Sequence, residues 1–219
     1  MRLTHIGHAC LLVEAGGQRI LVDPGNYARD FRSLTGLDAI AITHQHLDHA
    51  DPARLPALVA NNPDALLLAE PQTARHLPEA TSGAVRPRPL SAEPVELNGV
   101  TIGSIGETHA LIHPSLARVG NRGLLITAEG EPVLFHPGDS YDADPGHVDI
   151  LALPINAPWA NIEATAEFVR RIQPRYAVPI HDGLLSRLGR ELYLRLIGNF
   201  GPDDMQIKDL CDGEPVDFD

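Results

Sequence analysis

Four metal-binding side chains, His44, His46, Asp48 and His49, fall within six positions of the stretch "THQHLDH". Imidazole is the commonest protein ligand for zinc, and a carboxylate supplies oxygen. Four donors on one short loop do not readily converge on one ion. They suit two ions a few ångströms apart, with His44 and His46 turned to one, Asp48 and His49 to the other. Two such ions activate a water and steady an oxyanion, which is hydrolytic chemistry. A polar loop rich in histidine by chance would explain one or two of these residues, not four at the end of an apolar run.

A site of this kind needs further ligands from elsewhere in the chain. Three segments offer them, each after a run of β-formers: "GETHALIHP" with His109 and His113, "VLFHPGDS" with His136 and Asp139, and "AVPIHDG" with His181 and Asp182. Loops that follow strands gather at one edge of a sheet, so distant segments can meet there.

The elements that must carry these loops are legible. "RLTHIG" and "ACLLVEA" read as strands, and "GGQ" turns the second into "RILVDPG". "LDAIAIT" reads as a short buried strand feeding the histidine loop. "PARLPALVANN" has helical spacing, with Asp51 placed to cap it and Pro52 at its first position. "DALLLAE" is a strand and "PQTARHL" a short helix. After the proline-rich "AVRPRPLSAEP" the style repeats. "PVELNGVTIGSIG" is a hairpin on Asn98-Gly99, and "RGLLITAEGEPVLFHPGD" another near Glu129-Gly130. "VDILALPI" and "RYAVPIH" are strands around a helix, "NIEATAEFVRRIQP", whose Ile162, Ala166, Val169 and Ile172 share a face. "DGLLSRLGRELYLRLIG" is a last helix, with Gly189 its weak point. Two β-rich halves with outer helices make an α/β protein, a two-sheet sandwich flanked by helices. Only the acidic end "CDGEPVDFD" has the composition of a disordered segment.

Composition narrows the function. The 219 residues suffice for one substantial domain, expected to span 1–219, and the net charge of −12 repels phosphate backbones and anionic lipid. A general nucleic-acid binder or a membrane partner is therefore not expected; the partner is a small molecule. Cys10 and Cys211 are too few for a disulfide framework and read as free thiols in a reducing compartment. The N-terminus lacks the pattern of a signal peptide, and no run approaches the roughly 18 apolar residues of a membrane span. A cytoplasmic protein is expected, and its exposed helices leave a dimer open.

"THQHLDH" matches the H-x-H-x-D-H signature of the metallo-β-lactamase superfamily, and the later segments follow in that family's order. "HPGDS" resembles its bridging-aspartate motif, "PIHDG" its last histidine, and Asp23 in "LVDPG" its early aspartate. The resemblance spans nearly the whole chain. It implies a four-layer αββα sandwich holding two divalent ions, zinc or alternatively manganese, because imidazole stands at His46 where the iron-binding flavodiiron branch has glutamate. It would place His44, His46 and His109 on the first ion, Asp48, His49 and His181 on the second, and Asp139 between them. His113, four residues past His109, is the alternative third ligand. The opening "THIGHACLLVE" and the segment "ETHALIHP" are similar to the branch that includes ascorbate-6-phosphate lactonase and small metal-dependent hydrolases. That likeness puts His8 at the edge of the site; a hydrogen-bonded histidine inside the sandwich is the competing reading.

The implied activity is hydrolysis of an ester or lactone in a small molecule, phosphorylated ones included. Asp48 would orient the nucleophile. His113, His8 or Tyr141 would protonate the leaving group, and Arg118 and Arg122 are candidates to meet an anionic group. Phosphodiester hydrolysis and a catalytically silent metal-binding module are the alternatives.

Overall fold

A computed structural model describes residues 1–219. The first half contains β1 (Arg2–Gly7), β2 (Cys10–Ala15), β3 (Gln18–Val22), β4 (Ala39–Ile42), α1 (Leu55–Asn61), β5 (Leu66–Ala69), α2 (Pro71–Ala80) and β6 (Arg88–Pro89). The second contains β7 (Val95–Leu97), β8 (Val100–Ile105), β9 (Gly123–Ala128), β10 (Leu134–His136), β11 (Ile150–Pro154), α3 (Ile162–Ile172), β12 (Tyr176–Ile180), α4 (Arg187–Phe200), β13 (Gln206–Ile207) and β14 (Val216–Asp217).

Both halves use one plan. Each begins with antiparallel hairpins and continues with parallel strands joined through helices. The result is two seven-stranded sheets, ordered β14-β1-β2-β3-β4-β5-β6 and β13-β12-β11-β10-β9-β8-β7. Alternation of apolar residues along the strands gives each sheet two buried faces. The inner faces share one core, with Leu11, Val13, Ile20 and Val22 packed in the same cluster as Ile102, Leu124, Ile126 and Val178. The outer face of the first sheet packs Leu21, Ile40 and Ile42 with Leu55, Leu58 and Leu77 of α1 and α2. That of the second packs Leu151 and Leu153 with Phe168, Val169 and Ile197 of α3 and α4. These three apolar layers are the αββα sandwich expected from the sequence.

Several boundaries differ from expectation. The helix expected from Pro52 begins at Leu55, and Asp51 caps no helix; its carboxylate accepts from Ala53 N–H (2.9 Å) in the preceding turn. Pro56 has no N–H to donate back to Pro52, so that turn does not merge into α1. The last helix starts at Arg187, capped by the Ser186 hydroxyl, which accepts from Gly189 N–H at 3.2 Å. The acidic end is ordered, contrary to its composition. Val216 and Asp217 pair with Leu3 and Arg2 on the edge of the first sheet, and Phe218 is buried in the central core. Its aromatic ring and the Arg2–Asp217 ion pair (2.8 Å) outweigh the local charge. Both cysteines are free, and no helix is long and apolar enough to cross a membrane.

Candidate metal centre

The short, fully buried β4 delivers Thr43 and His44 to one end of the sandwich. The chain then turns tightly, with His49 and Ala50 N–H both donating to the carbonyl of His46. Gly25 of "DPG" lies flush beneath this turn. A β-carbon there would stand 1.7 Å from the Asp48 carbonyl oxygen, so only glycine fits. β10 delivers Asp139 through a loop in which Gly138 has φ +62°, and a side chain there would collide with Thr43 and Asn121. β8 leads to His109 and β12 to His181. His8 sits in the turn between β1 and β2.

Three of these groups hold unusual backbone. His8 (φ 54°), Asp23 (φ 48°) and His181 (φ 59°) are left-handed, although none is glycine. Such residues cost about 1 kcal/mol or more each and gather at functional sites, where surrounding contacts hold them. Here the His181 N–H donates to the His8 carbonyl at 2.8 Å, locking two of them together.

The side chains converge as two sets, His44, His46, His109 and Asp139, and His8, Asp48, His49 and His181, with the donor atoms of each within 4.8 Å of one another. Asp139 touches both. Its Oδ1 lies 3.1 Å from His49 Nε2, and its Oδ2 lies 3.3 Å from His109 Nε2 and 3.2 Å from His181 Nε2. His44 Nε2 and His46 Nδ1 are 3.1 Å apart.

The outer nitrogens explain which inner atoms are free. His49 Nδ1–H donates to Asp23 at 2.7 Å, His109 Nδ1–H to the Ala110 carbonyl at 2.7 Å, and His181 Nδ1–H to the Asn156 carbonyl at 2.6 Å. Asp23 also accepts the Thr43 hydroxyl at 2.7 Å, which leaves that oxygen to accept His44 Nδ1–H at 3.1 Å. A neutral imidazole that donates from one nitrogen presents a lone pair on the other. In their neutral form, four rings therefore aim Nε2 lone pairs inward. The Nε2 atoms of His49, His109 and His181, with Asp139 Oδ1, are buried and have no hydrogen-bond partner. Buried polar atoms without partners are expensive, and four converging ones offer the donors that a cation would satisfy.

Electrostatics point the same way. Burial opposes charge on His49 and His181, yet Asp139, assisted by Asp23 at His49 and Asp48 at His181, pulls both above the ordinary histidine value, His181 to about 9. Burial raises carboxylate pKa values, but the imidazoles overcome it and hold Asp48 and Asp139 well below the usual range. Burial dominates at His44 and His46, whose values fall. A pocket that draws protons onto buried rings is one where divalent cations compete with protons. The donor set, mostly imidazole with two carboxylates, suits a divalent metal ion.

His8 is buried and touches the site from the turn between β1 and β2. Its Nδ1 accepts from Gly183 N–H at 3.1 Å, so Nε2 carries the proton and donates to Asp48 Oδ2 at 3.1 Å. His113 is not brought to the cluster. It is exposed, with Nδ1 accepting from Ser115 N–H, because the chain turns outward after Ala110 N–H donates to the Asp139 carbonyl. Tyr141 is also committed elsewhere, donating to the Pro154 carbonyl at 2.6 Å. Arg118 donates to the His109 carbonyl (2.7 Å) and pairs with Asp142 (3.4 Å), so it braces the loop. Arg122 is half-buried, its backbone N–H bonded to the Thr43 carbonyl. His136 bonds the Ala9 carbonyl (2.9 Å) and accepts from Gly138 N–H (3.2 Å), tying the two sheets. Asp182 holds Arg190 at 2.8 Å.

Sequence reasoning missed two neighbours of Asp139. Asn121 accepts its N–H at 2.9 Å while donating to the Pro137 carbonyl, and Trp159 Nε1–H donates to its Oδ2 at 2.9 Å. Neither belongs to a spaced motif; the sole tryptophan of the chain, just past a strand end, was the available signal.

Comparison with known proteins agrees with this fold. The profile of the Beta-lactamase superfamily domain matches residues 2–181. Protein Rv0786c of Mycobacterium tuberculosis is 39% identical over 208 residues, covering 94% of this chain and 96% of that protein. A UPF0173 metal-dependent hydrolase of Aeropyrum pernix is 30% identical, covering 100% and 98%. Among solved structures, Igni18, a metallo hydrolase from Ignicoccus hospitalis, superposes with a TM-score of 0.75 at 19% identity, covering 100% of this chain and 98% of that one. The narrower likeness to the ascorbate-6-phosphate lactonase branch rests on the sequence reading alone. With its profile match, its full-length relatives and its two-sheet fold, the chain belongs to the metallo-β-lactamase superfamily.

Proposed function

We propose that the protein hydrolyses an ester or lactone of a small molecule with two divalent ions, zinc or manganese, held by the cluster. The coarser reading, a metal-dependent hydrolase, is supported by the family and by the name of the Aeropyrum relative. One observation carries the two-ion part of the finer one: Asp139 lies within 3.3 Å of the inward nitrogens of both sets. In this reading His44, His46 and His109 hold one ion, Asp48, His49 and His181 the other, and Asp139 is shared.

The ions supply an acidified water and positive charge for the oxyanion. The protein's own groups do the rest. Asp48 accepts the proton of the nucleophile's hydrogen bond and aims it, while His8 Nε2–H keeps Asp48 turned inward. His8, neutral and with Nδ1 already accepting from Gly183 N–H, also presents its Nε2–H at the site, so it is placed as a hydrogen-bond donor that steadies Asp48 and keeps its own proton. Trp159 and Asn121 fix the carboxylate of Asp139 and the loop that bears it.

Elemental analysis of wild type and Asp139→Ala tests this reading. Two ions per chain are expected, falling below one in the variant, with turnover of p-nitrophenyl acetate reduced by more than about 100-fold, beyond what loss of an outer partner costs. Metal binding without turnover of any ester or lactone would leave the silent module; turnover confined to bis-p-nitrophenyl phosphate would leave the phosphodiesterase.

A further inference from the structure

Several exposed apolar side chains neighbour the cluster residues along the chain. Leu47 stands between His46 and Asp48 and is 56% exposed. Leu111 and Ile112 follow His109, Leu184 follows His181, and all three are exposed. The Tyr27 ring meets His8 edge-on at 5.1 Å, and that of Trp159 lies 6.1 Å from His109. Exposed large apolar side chains are ordinary when scattered, but those that share one recess with a reactive centre, as Ile112 and Leu116 do with His46 and His109, mark a binding surface.

The loop from Ala110 to Val119 gives this surface a shape. Its ends are pinned, by His109 N–H to the Val119 carbonyl (3.0 Å) and Ala110 N–H to the Asp139 carbonyl (2.8 Å). Between them Ile112, Leu116, Ala117 and Val119 wall a recess that opens on His46 and His109. Its volume is about 20 Å3, room for one water, so a longer group must lie along Ile112 and Leu116 rather than sink past them. The arginine of this wall, Arg118, is turned to the His109 carbonyl and Asp142, and the chain's net charge of −12 repels anions at long range.

We infer that the substrate is a neutral molecule carrying an apolar acyl or alkyl arm, which lies against the wall of Ile112 and Leu116 while its reacting carbonyl faces the cluster. The position of that carbonyl rests on the hydrolase reading above; the apolar wall does not.

The test compares acetohydroxamic and octanohydroxamic acid, two neutral chelators with one head and different tails, on the zinc-loaded full chain. Binding is read by calorimetry and by the fluorescence of the sole tryptophan, Trp159. Each fully buried methylene gives roughly fourfold in affinity; an open wall that removes a third of six methylenes from water predicts about 15-fold tighter binding of the longer chelator. Leu116→Asp and Ile112→Asp, both at exposed positions, should each cut that ratio below about threefold. Equal affinity of the two chelators for wild type overturns the inference. So does an undiminished ratio in both variants, or preference for a phosphorylated ester over its neutral counterpart. p-Nitrophenyl acetate turnover on the same preparation separates the readings. Turnover with equal chelator affinities keeps the hydrolase and removes the arm. A chelator ratio without turnover keeps the arm and removes the ester reading. Failure of both chelators to bind overturns both.

Discussion

The two sets of ligands use the same residue types with opposite polarity at one position. In the set of His44, His46, His109 and Asp139, the buried histidines His44 and His109 are each anchored through Nδ1 to an oxygen, so the inward atom is a lone pair. In the set of His8, Asp48, His49 and His181, His49 and His181 follow that rule, but His8 is anchored to an N–H, so its inward atom bears a proton. A ring's role is set by the atom behind it. In the proposed reading the first set is a cage for a cation, and the second is a cage with a hydrogen-bond donor built into one wall.

Removing the cations is the broadest way to test this contrast. The proposed ions neutralise repulsion among unpartnered atoms and bind only the folded chain. Ligand present at about a thousandfold its dissociation constant stabilises by roughly 4 kcal/mol, which for a chain of this size corresponds to about 10 °C. Chelation should lower the melting temperature by that order and abolish turnover, and zinc should restore both. An unchanged melting curve after verified metal loss would mean that the inward lone pairs find other partners.

Asp23→Asn acts on the anchors. Asp23 fixes His49 directly and His44 through Thr43, so its loss frees one ring in each set. Metal affinity should fall by about 10- to 100-fold at both ions, the usual range for such partners. Competition with a chromophoric chelator would show it; loss of one ion alone would break the symmetry argued for Asp23.

His8→Ala and His8→Gln sharpen the contrast most finely. A donor at position 8 predicts that both variants keep two ions per chain, that alanine lowers kcat by about tenfold, and that glutamine, which offers an N–H to Asp48, recovers part of it. Loss of an ion in His8→Ala would make His8 a ligand and erase the difference between the sets.

Proton linkage gives the smallest effect. His181, raised to about 9, is protonated in the metal-free chain below that value, so zinc must displace its proton. In the metal-free chain the raised value contributes stability that is full below about pH 6.5 and lost as the pH climbs through 9. Zinc binding at pH 7.5 should therefore release protons, and its apparent affinity should rise toward pH 9. Calorimetry in buffers of different ionisation enthalpy reads that release; none would mean that His181 enters the metal-free state neutral.

Much of this protein is legible along the chain. Alternating and continuous apolar runs mark the strands of both sheets, because period and burial are local properties. Asn98-Gly99 and Gly130 mark hairpins, because left-handed turns select such residues. The dense spacing of His44, His46, Asp48 and His49 points to a metal, and the resemblance of the later segments to the superfamily's motifs implies Asp139 and His181. Three-dimensional packing decided what spacing left open. His109 and His113 are equivalent as sequence, but the Ala110 N–H bond to Asp139 ends the buried segment and turns His113 into solvent. His8 and Tyr141 look alike as proton donors until Gly183 N–H orients one toward Asp48 and the Pro154 carbonyl takes the other. The acidic end looked unstructured because the edge of β1 that it completes lies more than two hundred residues away. Residue type and spacing fix which chemistry a chain can perform. Which atom of a side chain faces that chemistry depends on hydrogen bonds from distant backbone, and those exist only once the sheets have packed.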